Sequence, residues 1–172
     1  NSTHLDIAKK ALDNNIKVIF CEKPISDSLQ NAEKMVKLAR EKEVTLLVNH
    51  RRRWDKLYNK IKNFIDSNGL GKLQQVSCYY GAGVANTGVH VFDVLRMLFG
   101  EIKYVSAWYN DDPNKSDPNM DGYIKFQSDL SVSVQSFNYS NYLIFELDIY
   151  GTIGRLRVEE NGLKVSCWHA KK

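Results

Sequence analysis

The side chains that could do chemistry lie in two segments far apart in the sequence. Lys23, within Glu22-Lys23-Pro24, directly follows the apolar run Val18 to Cys21, which we expect to be a parallel strand. Open α/β sheets bind ligands at the carboxyl ends of such strands, so we expect the Lys23 ammonium at a ligand site. His90 lies at the end of the segment 86–90, where a helix is predicted to start, and it offers an imidazole for acid/base chemistry. Together the two segments predict a site built between two domains.

The composition is that of an ordinary globular protein. The 172 residues are 43% hydrophobic and 26% charged, with a net charge of +4, so a disordered or fibrous chain is excluded. Basic residues are interleaved with acids outside Arg51-Arg52-Arg53, and we therefore expect a small-molecule partner and no nucleic acid. No apolar run approaches the roughly 18 residues that cross a bilayer, and the first residues lack the pattern of a signal peptide. We expect a cytoplasmic protein without a membrane segment.

The number and placement of the cysteines also favour the cytoplasm. Cys21, Cys78 and Cys167 are odd in number, far apart and mostly placed in apolar runs that predict strands. Buried free thiols in a reducing compartment are the interpretation that this pattern favours.

Residues 1–50 have the pattern of part of a parallel sheet. Thr3 and Asp6 have the spacing of a capping box before a first helix, and Ser26 or Asp27 can cap a second one. Helices that alternate with short strands, apolar on both faces, are typical of a parallel sheet covered on both sides. Two strands cannot form such a sheet alone, so we expect the C-terminal part of a Rossmann-type domain, in a chain that is a fragment. The predicted strands are 18–21 and 44–48.

Residues 51–172 predict an α+β domain. Arg51 to Asp55 would be the crossing from the first domain, and the helix that follows ends at Asn68-Gly69, where Gly69 is expected to supply the left-handed cap. The polar loop Asp111 to Asn119 is expected to be solvated and mobile. The five last strands are separated by turn residues, which is typical of an antiparallel meander in a mostly antiparallel, open sheet covered by helices on one face. The predicted elements are strand 73–80, a flexible glycine loop 81–88, helix 89–98, and strands 102–109, 123–126, 132–137, 144–150, 156–158 and 163–167.

Four segments follow one another in a recognisable order. They are Asn1-Ser2-Thr3-His4 with Ala11-Leu12 and Val18 to Pro24; Val48 to Asp55; Gly88-Val89-His90 followed by Asp93, Arg96, Leu98 and Gly100-Glu101; and Tyr150 to Gly154. In this order they resemble the Gfo/Idh/MocA family of nicotinamide-dependent sugar and cyclitol oxidoreductases. Members of that family are longer and begin with a strand, a glycine-rich turn and a helix, so the resemblance again indicates a fragment, and the polypeptide alone should bind a dinucleotide poorly.

The resemblance implies hydride transfer between NAD or NADP and a secondary alcohol or ketone of a sugar, cyclitol or related polyol. His90 would be the general acid/base, and Lys23 would hold the reacting hydroxyl and the nicotinamide ribose. Such proteins commonly pair their open sheets, so a homo-oligomer through the C-terminal sheet is expected. The implied catalytic residues are Lys23, His90 and Asn86; the cofactor-binding residues are Asn1, His4, Glu22 and Lys23; and the substrate-binding residues are Arg52, Asn86 and Asp93.

Asn86 departs from the family pattern, which most often has an aspartate four residues before the histidine. An amide can bind a sugar hydroxyl, but it cannot accept a proton. Asp93, three residues after His90, could partly compensate. The alternative function is therefore a nicotinamide-binding sensor or regulatory protein that has lost turnover.

Several of these residues have simpler interpretations. His4 could be a packed histidine, and Asp93 and Arg96 could pair with each other on the helix surface. Arg51 to Arg53 could divide between an interdomain salt bridge and solvent. The carboxylates of the loop Asp111 to Asn119 show no ligand geometry and no neighbouring histidine, so no metal site is expected.

Overall fold

The first unit, Asn1–Arg51, combines a two-stranded parallel sheet with two helices. The computed structural model describes residues 2–139 and 142–170. The elements of the unit are α1 (His4–Leu12), β1 (Val18–Cys21), α2 (Leu29–Glu41) and β2 (Thr45–Val48). The strands pair in parallel with Val18 opposite Thr45, and the predicted helix and strand order is confirmed. Leu5, Ala8, Cys21 and Met35 form the core of the unit.

The helix starts differ from the prediction. Thr3 already has helical dihedral angles (φ −91°, ψ −10°) and its side chain makes no capping bond, so the capping box with Asp6 is wrong. Helix α2 is capped by Ser28, which is extended (φ −144°, ψ 149°) and accepts the backbone N–H three residues on at 3.2 Å. Ser26 and Asp27 precede the cap and hydrogen-bond to each other.

One face of the small sheet is exposed within the described residues. Val18 and Phe20 of β1 are 53% and 62% exposed, and Leu47 of β2 is also exposed. The alternate residues Ile19 and Cys21 pack against the core of the unit. The second helical layer expected from the apolar strands is thus not found among the described residues.

The second unit, Arg52–Lys172, is a seven-stranded sheet with helices on one face. Its strand order is β4-β5-β6-β3-β7-β8-β9. The elements are a 3₁₀ turn (Arg51–Arg53) at the unit boundary, α3 (Lys56–Asp66), β3 (Leu73–Gly81), a π-helical turn (Gly83–Gly88), α4 (Val89–Phe99), β4 (Ile102–Tyr109), β5 (Met120–Phe126), β6 (Ser131–Phe137), β7 (Phe145–Gly151), β8 (Gly154–Glu159) and β9 (Lys164–His169).

Strand β3 lies in the middle of the sheet, between β6 and β7. It pairs in parallel with β6 and antiparallel with β7, and every other neighbouring pair in this sheet is antiparallel. The predicted mostly antiparallel sheet is confirmed. The predicted continuous meander is wrong, because β3 separates β4-β5-β6 from β7-β8-β9.

The two faces of the sheet differ in chemistry. Val76, Cys78 and Tyr80 of β3 are fully buried in a core shared with α3 and α4, while the alternate residues of β3 face away from the helices. The Tyr80 hydroxyl donates to the Met120 carbonyl at 2.8 Å and accepts the Met120 N–H at 3.1 Å, and burial raises the pKa of Tyr80 to about 12. Tyr80 is therefore a structural residue.

The end of α3 also corrects the prediction. Asn68 takes the left-handed conformation (φ 64°) that was expected at Gly69. Gly69 is needed for space instead, since a Cβ atom there would lie 2.3 Å from the Phe64 ring. Trp54 precedes the helix and is 70% exposed. Among the described residues, no helix has the length and apolar character needed to cross a membrane.

The three cysteines are free thiols in different surroundings. Cys21 and Cys78 are buried, as predicted, but Cys167 is exposed. The interpretation of Cys167 as buried is wrong because it lies on β9, the edge strand of the sheet.

This difference predicts the order of alkylation. Burial raises the pKa of the Cys21 and Cys78 thiols, which lowers the fraction of reactive thiolate at any given pH. With iodoacetamide at pH 8, Cys167 should react at least about tenfold faster than the other two, as followed by peptide mass spectrometry. Cys167→Ser should remove the fast phase, and denaturant should make the remaining rates similar. Rapid labelling of Cys78 in the folded protein would contradict the burial.

Candidate functional site

Glu22-Lys23-Pro24 lies at the carboxyl end of β1, as the sequence predicts. Asn49, just after β2, donates its backbone N–H to the Cys21 carbonyl at 2.8 Å and its side-chain amide to Glu22 Oε1 at 2.7 Å. These two bonds tie the ends of the parallel strands together and fix the Glu22 carboxylate. Lys23 follows, half-buried, and its peptide bond to Pro24 is cis. The segment is thus held at the sheet edge where open α/β sheets bind ligands.

His4 lies within the packing of the first unit. Its Nδ1 is 3.2 Å from the Ile25 carbonyl oxygen and 3.4 Å from Cys21 Sγ. The arrangement agrees with the packed alternative, and cofactor contact by His4 stays a prediction. Asn1, the other terminal residue assigned to the cofactor, lies outside the described residues.

The segment before His90 is an ordered helical turn rather than a flexible loop. Ala82 (φ 65°) and Gly83 (φ 79°) are left-handed and reverse the chain after β3. The π-helical turn Gly83–Gly88 then runs directly into α4. Asn86 is exposed and His90 is half-buried, and their spacing of four residues places them on one side of the helical segment.

Residues 117–119 bind the start of this turn. The Gly83 N–H donates to Asn119 Oδ1 at 3.0 Å, and the Val84 N–H donates to the Pro118 carbonyl at 3.0 Å. The next two N–H groups, those of Ala85 and Asn86, donate to the two Asp117 carboxylate oxygens at 2.7 and 2.9 Å. Four successive donors that a helix start leaves without intrahelical partners are therefore satisfied by three consecutive residues. We call residues 117–119 the clamp.

The clamp corrects the expectation for the loop Asp111 to Asn119. Asn119 is only 8% exposed, so the end of the loop is packed rather than solvated. Asp111 accepts bonds from Lys115 Nζ at 2.9 Å and from Asn119, and the Lys115 bond, followed by those from Asn119, lowers the pKa of Asp111. Within residues 2–139 and 142–170, no three His, Cys, Asp or Glu side chains are placed to hold a metal ion.

The charged residues of α4 have partners other than those expected. Asp93 Oδ1 accepts from Arg53 Nε at 2.8 Å, whereas Arg96 donates to both Glu101 oxygens at 2.8 and 2.7 Å. The simpler alternative, in which Asp93 and Arg96 pair with each other, is therefore wrong, because each residue has a better placed partner outside the helix. Arg53 forms its ion pair inside the second unit.

Arg52 packs against an aromatic ring in the second unit. The centre of its guanidinium lies 3.9 Å from the centroid of the Phe145 ring, a cation–π contact that holds the side chain. Substrate binding by Arg52 and Asp93 stays a prediction, as do the catalytic roles of Lys23, Asn86 and His90.

Both parts of the chain match protein-family models. Residues 1–50 match a model described as an oxidoreductase family with an NAD-binding Rossmann fold, and residues 80–157 match the GFO/IDH/MocA C-terminal domain. The chain belongs to the Gfo/Idh/MocA family. The resemblance carried by Glu22-Lys23-Pro24 and Gly88-Val89-His90 is confirmed.

Sequence relatives match part of the chain. It is 30% identical over 132 residues to the uncharacterized oxidoreductase YhhX of Escherichia coli, a match that covers 68% of this chain and 38% of YhhX. It is 29% identical over 113 residues to the inositol 2-dehydrogenase of Salmonella typhimurium, covering 59% and 33%. The chain thus spans about a third of the length of the curated relatives it matches.

A solved structure shows the same fold over almost the whole chain. The WlbA dehydrogenase from Bordetella pertussis, in complex with NADH and UDP-GlcNAcA, superimposes with a TM-score of 0.85 at 16% identity. The match covers 98% of this chain and 59% of that protein. At this identity the similarity establishes the fold alone.

The ion pair beside His90 gives a stability prediction. The Asp93 side chain is 11% exposed and Arg53 is 41% exposed, so Arg53→Gln removes a charge-assisted bond from a mostly buried carboxylate. We expect the free energy of unfolding to fall by about 1–2 kcal/mol, since exposure of Arg53 screens part of the interaction.

Urea unfolding followed by tryptophan fluorescence measures this change, since Trp54, Trp108 and Trp168 all lie in the second unit. Arg51→Gln, in the same 3₁₀ turn and exposed, is the matched control and should change the free energy of unfolding by less than about 0.5 kcal/mol. Equal effects of the two substitutions would show that the Arg53–Asp93 bond is energetically unimportant.

Proposed function

We propose that the full-length protein is an NAD- or NADP-dependent oxidoreductase that interconverts a secondary alcohol and a ketone on a sugar, cyclitol or related polyol. The observation that carries the proposal is the placement of the two family segments. Glu22-Lys23-Pro24 follows a parallel strand at its carboxyl end, and His90 lies in the first turn of α4. The relatives named inositol 2-dehydrogenase support the polyol class.

The residues at the end of β1 fit the nicotinamide end of a dinucleotide. The Glu22 carboxylate, fixed by Asn49 at 2.7 Å, is an acceptor for ribose hydroxyls, and the Lys23 ammonium is a donor to oxygen. A nicotinamide held there would supply the hydride chemistry that interconverts the alcohol and the ketone. Lys23 would hold the ribose and the reacting oxygen, and its positive charge would stabilise the alkoxide as the hydroxyl proton leaves.

His90 would take the hydroxyl proton during oxidation and return it during reduction. Histidine suits this task because its unperturbed pKa of about 6.5 is near neutral pH. Asn86, on the same side of the helical segment, would hydrogen-bond a neighbouring hydroxyl of the substrate, with Asp93 and Arg52 as further substrate contacts. An amide at position 86 can orient the substrate without taking part in proton transfer.

Replacing His90 tests the proposal. In the full-length protein, His90→Ala should lower kcat by about 10²–10⁴, the usual contribution of a general acid/base, and leave cofactor affinity nearly unchanged. Reduced-nicotinamide absorbance with a panel of polyols and sugars measures turnover, and fluorescence titration measures cofactor affinity. The control is His169→Ala, at an exposed histidine of β9.

Each outcome has a defined meaning. Near-normal turnover of His90→Ala would remove His90 from the mechanism. If the wild type binds the cofactor but turns over no polyol or sugar, the proposed enzymatic activity is contradicted and the sensor alternative is favoured. The amide of Asn86 is the feature that supports that alternative.

We also infer a cytoplasmic homo-oligomer that pairs through the open face of the seven-stranded sheet. Asp148 on this face is 4% exposed and is bound by both Arg155 Nε and Nη2, with Arg157 Nε at 3.6 Å. The Arg155 guanidinium also lies 5.2 Å from the Trp168 ring centroid. A second copy would bury this ordered aromatic and charged surface, and Trp168, 48% exposed, is typical of an interface anchor.

Light scattering after gel filtration tests the assembly. The full-length wild type should elute with a mass that is a multiple of the monomer, and Trp168→Glu should shift it toward monomer because a desolvated carboxylate disfavours the interface. Trp54→Glu, at a tryptophan that precedes α3, is the matched control and should leave the mass unchanged. A monomeric wild type at high protein concentration would overturn the inference.

A further inference from the structure

The turn that carries Asn86 and His90 is fixed by a carboxylate from outside its own sequence segment. Asp117 lies 31 residues after Asn86 in a loop between β4 and β5, yet both of its oxygens bind consecutive N–H groups of the turn. We propose that Asp117 is the positioning residue of the His90 segment, and that it sets the orientation in which Asn86 and His90 meet the substrate. The catalytic consequence rests on the proposed function.

Two features of the geometry require a carboxylate at position 117. The N–H groups of Ala85 and Asn86 each need an acceptor, and an ionised carboxylate offers two acceptor oxygens and no donor. Its negative charge also faces the positive end of the helical segment, so both bonds are charge-assisted. An amide at position 117 could accept only one of the two N–H groups and would direct its NH₂ toward the other.

Gly83 provides the space for this carboxylate. A Cβ atom on Gly83 would lie 2.2 Å from Asp117 Oδ2, and its φ of +79° is strained for any other residue. The clamp is anchored at its other end, because Asn119 Nδ2 donates to Asp111 Oδ2 at 3.1 Å and to the Phe137 carbonyl at 3.2 Å. Asp117 is therefore held between a glycine that makes room for it and a buried amide that fixes the loop.

The position of the turn matters because proton transfer depends on distance. A general base must lie within hydrogen-bond reach of the proton that it removes, and a displacement of about 1 Å can cost about 10²-fold in rate. Without Asp117, the N–H groups of Ala85 and Asn86 would turn toward water. The first turn before α4 could then fray, although the rest of α4 would stay packed on the sheet through Val91, Val94 and Leu95.

Asp117→Ala, compared with Asp112→Ala, tests the proposal. Asp112 is an exposed carboxylate of the same loop whose hydrogen bonds are local, to Asn114, so this control makes the same charge change away from the turn. In Asp117→Ala, amide exchange at Ala85 and Asn86, measured by NMR, should accelerate about tenfold. In the full-length protein, kcat should fall about 10²-fold, with cofactor affinity within about twofold of wild type. Asp112→Ala should change none of these values.

Gly83→Ala provides a second route that keeps the carboxylate. The added methyl group should displace Asp117 and reproduce the loss of kcat. In the Asp117→Ala background the same substitution should cost less, since the clash is gone and only the backbone strain at φ +79° remains. This double-mutant cycle isolates the contact from general destabilisation. If Asp117→Ala does not fold, Asp117→Asn and Gly83→Ala carry the test, and Asp117→Asn should give exchange rates between those of wild type and Gly83→Ala.

The amide-exchange rates and the kcat values test separate parts of the proposal. Unchanged exchange at Ala85 and Asn86 in Asp117→Ala would overturn the positioning role, and so would faster exchange with normal kcat. If the wild type reduces or oxidises no polyol or sugar, the proposed function fails, while the exchange rates still decide whether Asp117 orders the turn.

Discussion

Strand β3 is the element on which the second unit depends. Its residues Val76, Cys78 and Tyr80 are fully buried, and it pairs with β6 on one side and β7 on the other. A strand in this position cannot shift by one residue, because a shift would move its apolar side chains to the open face and break both ladders. Since the chain passes from β3 through the π-helical turn into α4, the register of β3 sets where the segment with His90 begins.

The packing of β3 in the sheet does not by itself determine the conformation of the segment with His90. The start of a helix leaves N–H groups without intrahelical partners, and here Gly83 to Asn86 would need four acceptors. Ala82 and Gly83 reverse the chain by left-handed conformations, which bring these donors toward the loop between β4 and β5. Residues 117–119 supply a carboxylate, a carbonyl and an amide oxygen for them. The sheet thus fixes the position of α4, and the clamp fixes the π-helical turn that precedes it.

Local patterns predicted the elements but not their long-range partners. The apolar run at β1, the periodicity of α4 and the turn residues between β7, β8 and β9 involve neighbours within a few residues, so the sequence was sufficient to find them. The parallel pairing of β3 with β6 joins residues 56 positions apart, and the sequence offers no local sign of it. The same holds for Asp117, which appears in sequence as one of several acids in a polar loop. The alternative pairing of Asp93 with Arg96 was wrong because Arg53 approaches α4 from another element.

The clamp gives a physical reason why an amide suits position 86. Asp117 Oδ2 lies 2.9 Å from the Asn86 backbone nitrogen, so an aspartate at position 86 would add a second negative charge near the Asp117 carboxylate, and like charges disfavour each other. With asparagine, the negative charge stays on Asp117, where it binds the backbone, and the side chain at position 86 remains a neutral donor and acceptor for hydroxyl groups. The departure from the family pattern at Asn86 is therefore compatible with an ordered His90 segment, because the charge that orders it comes from the loop.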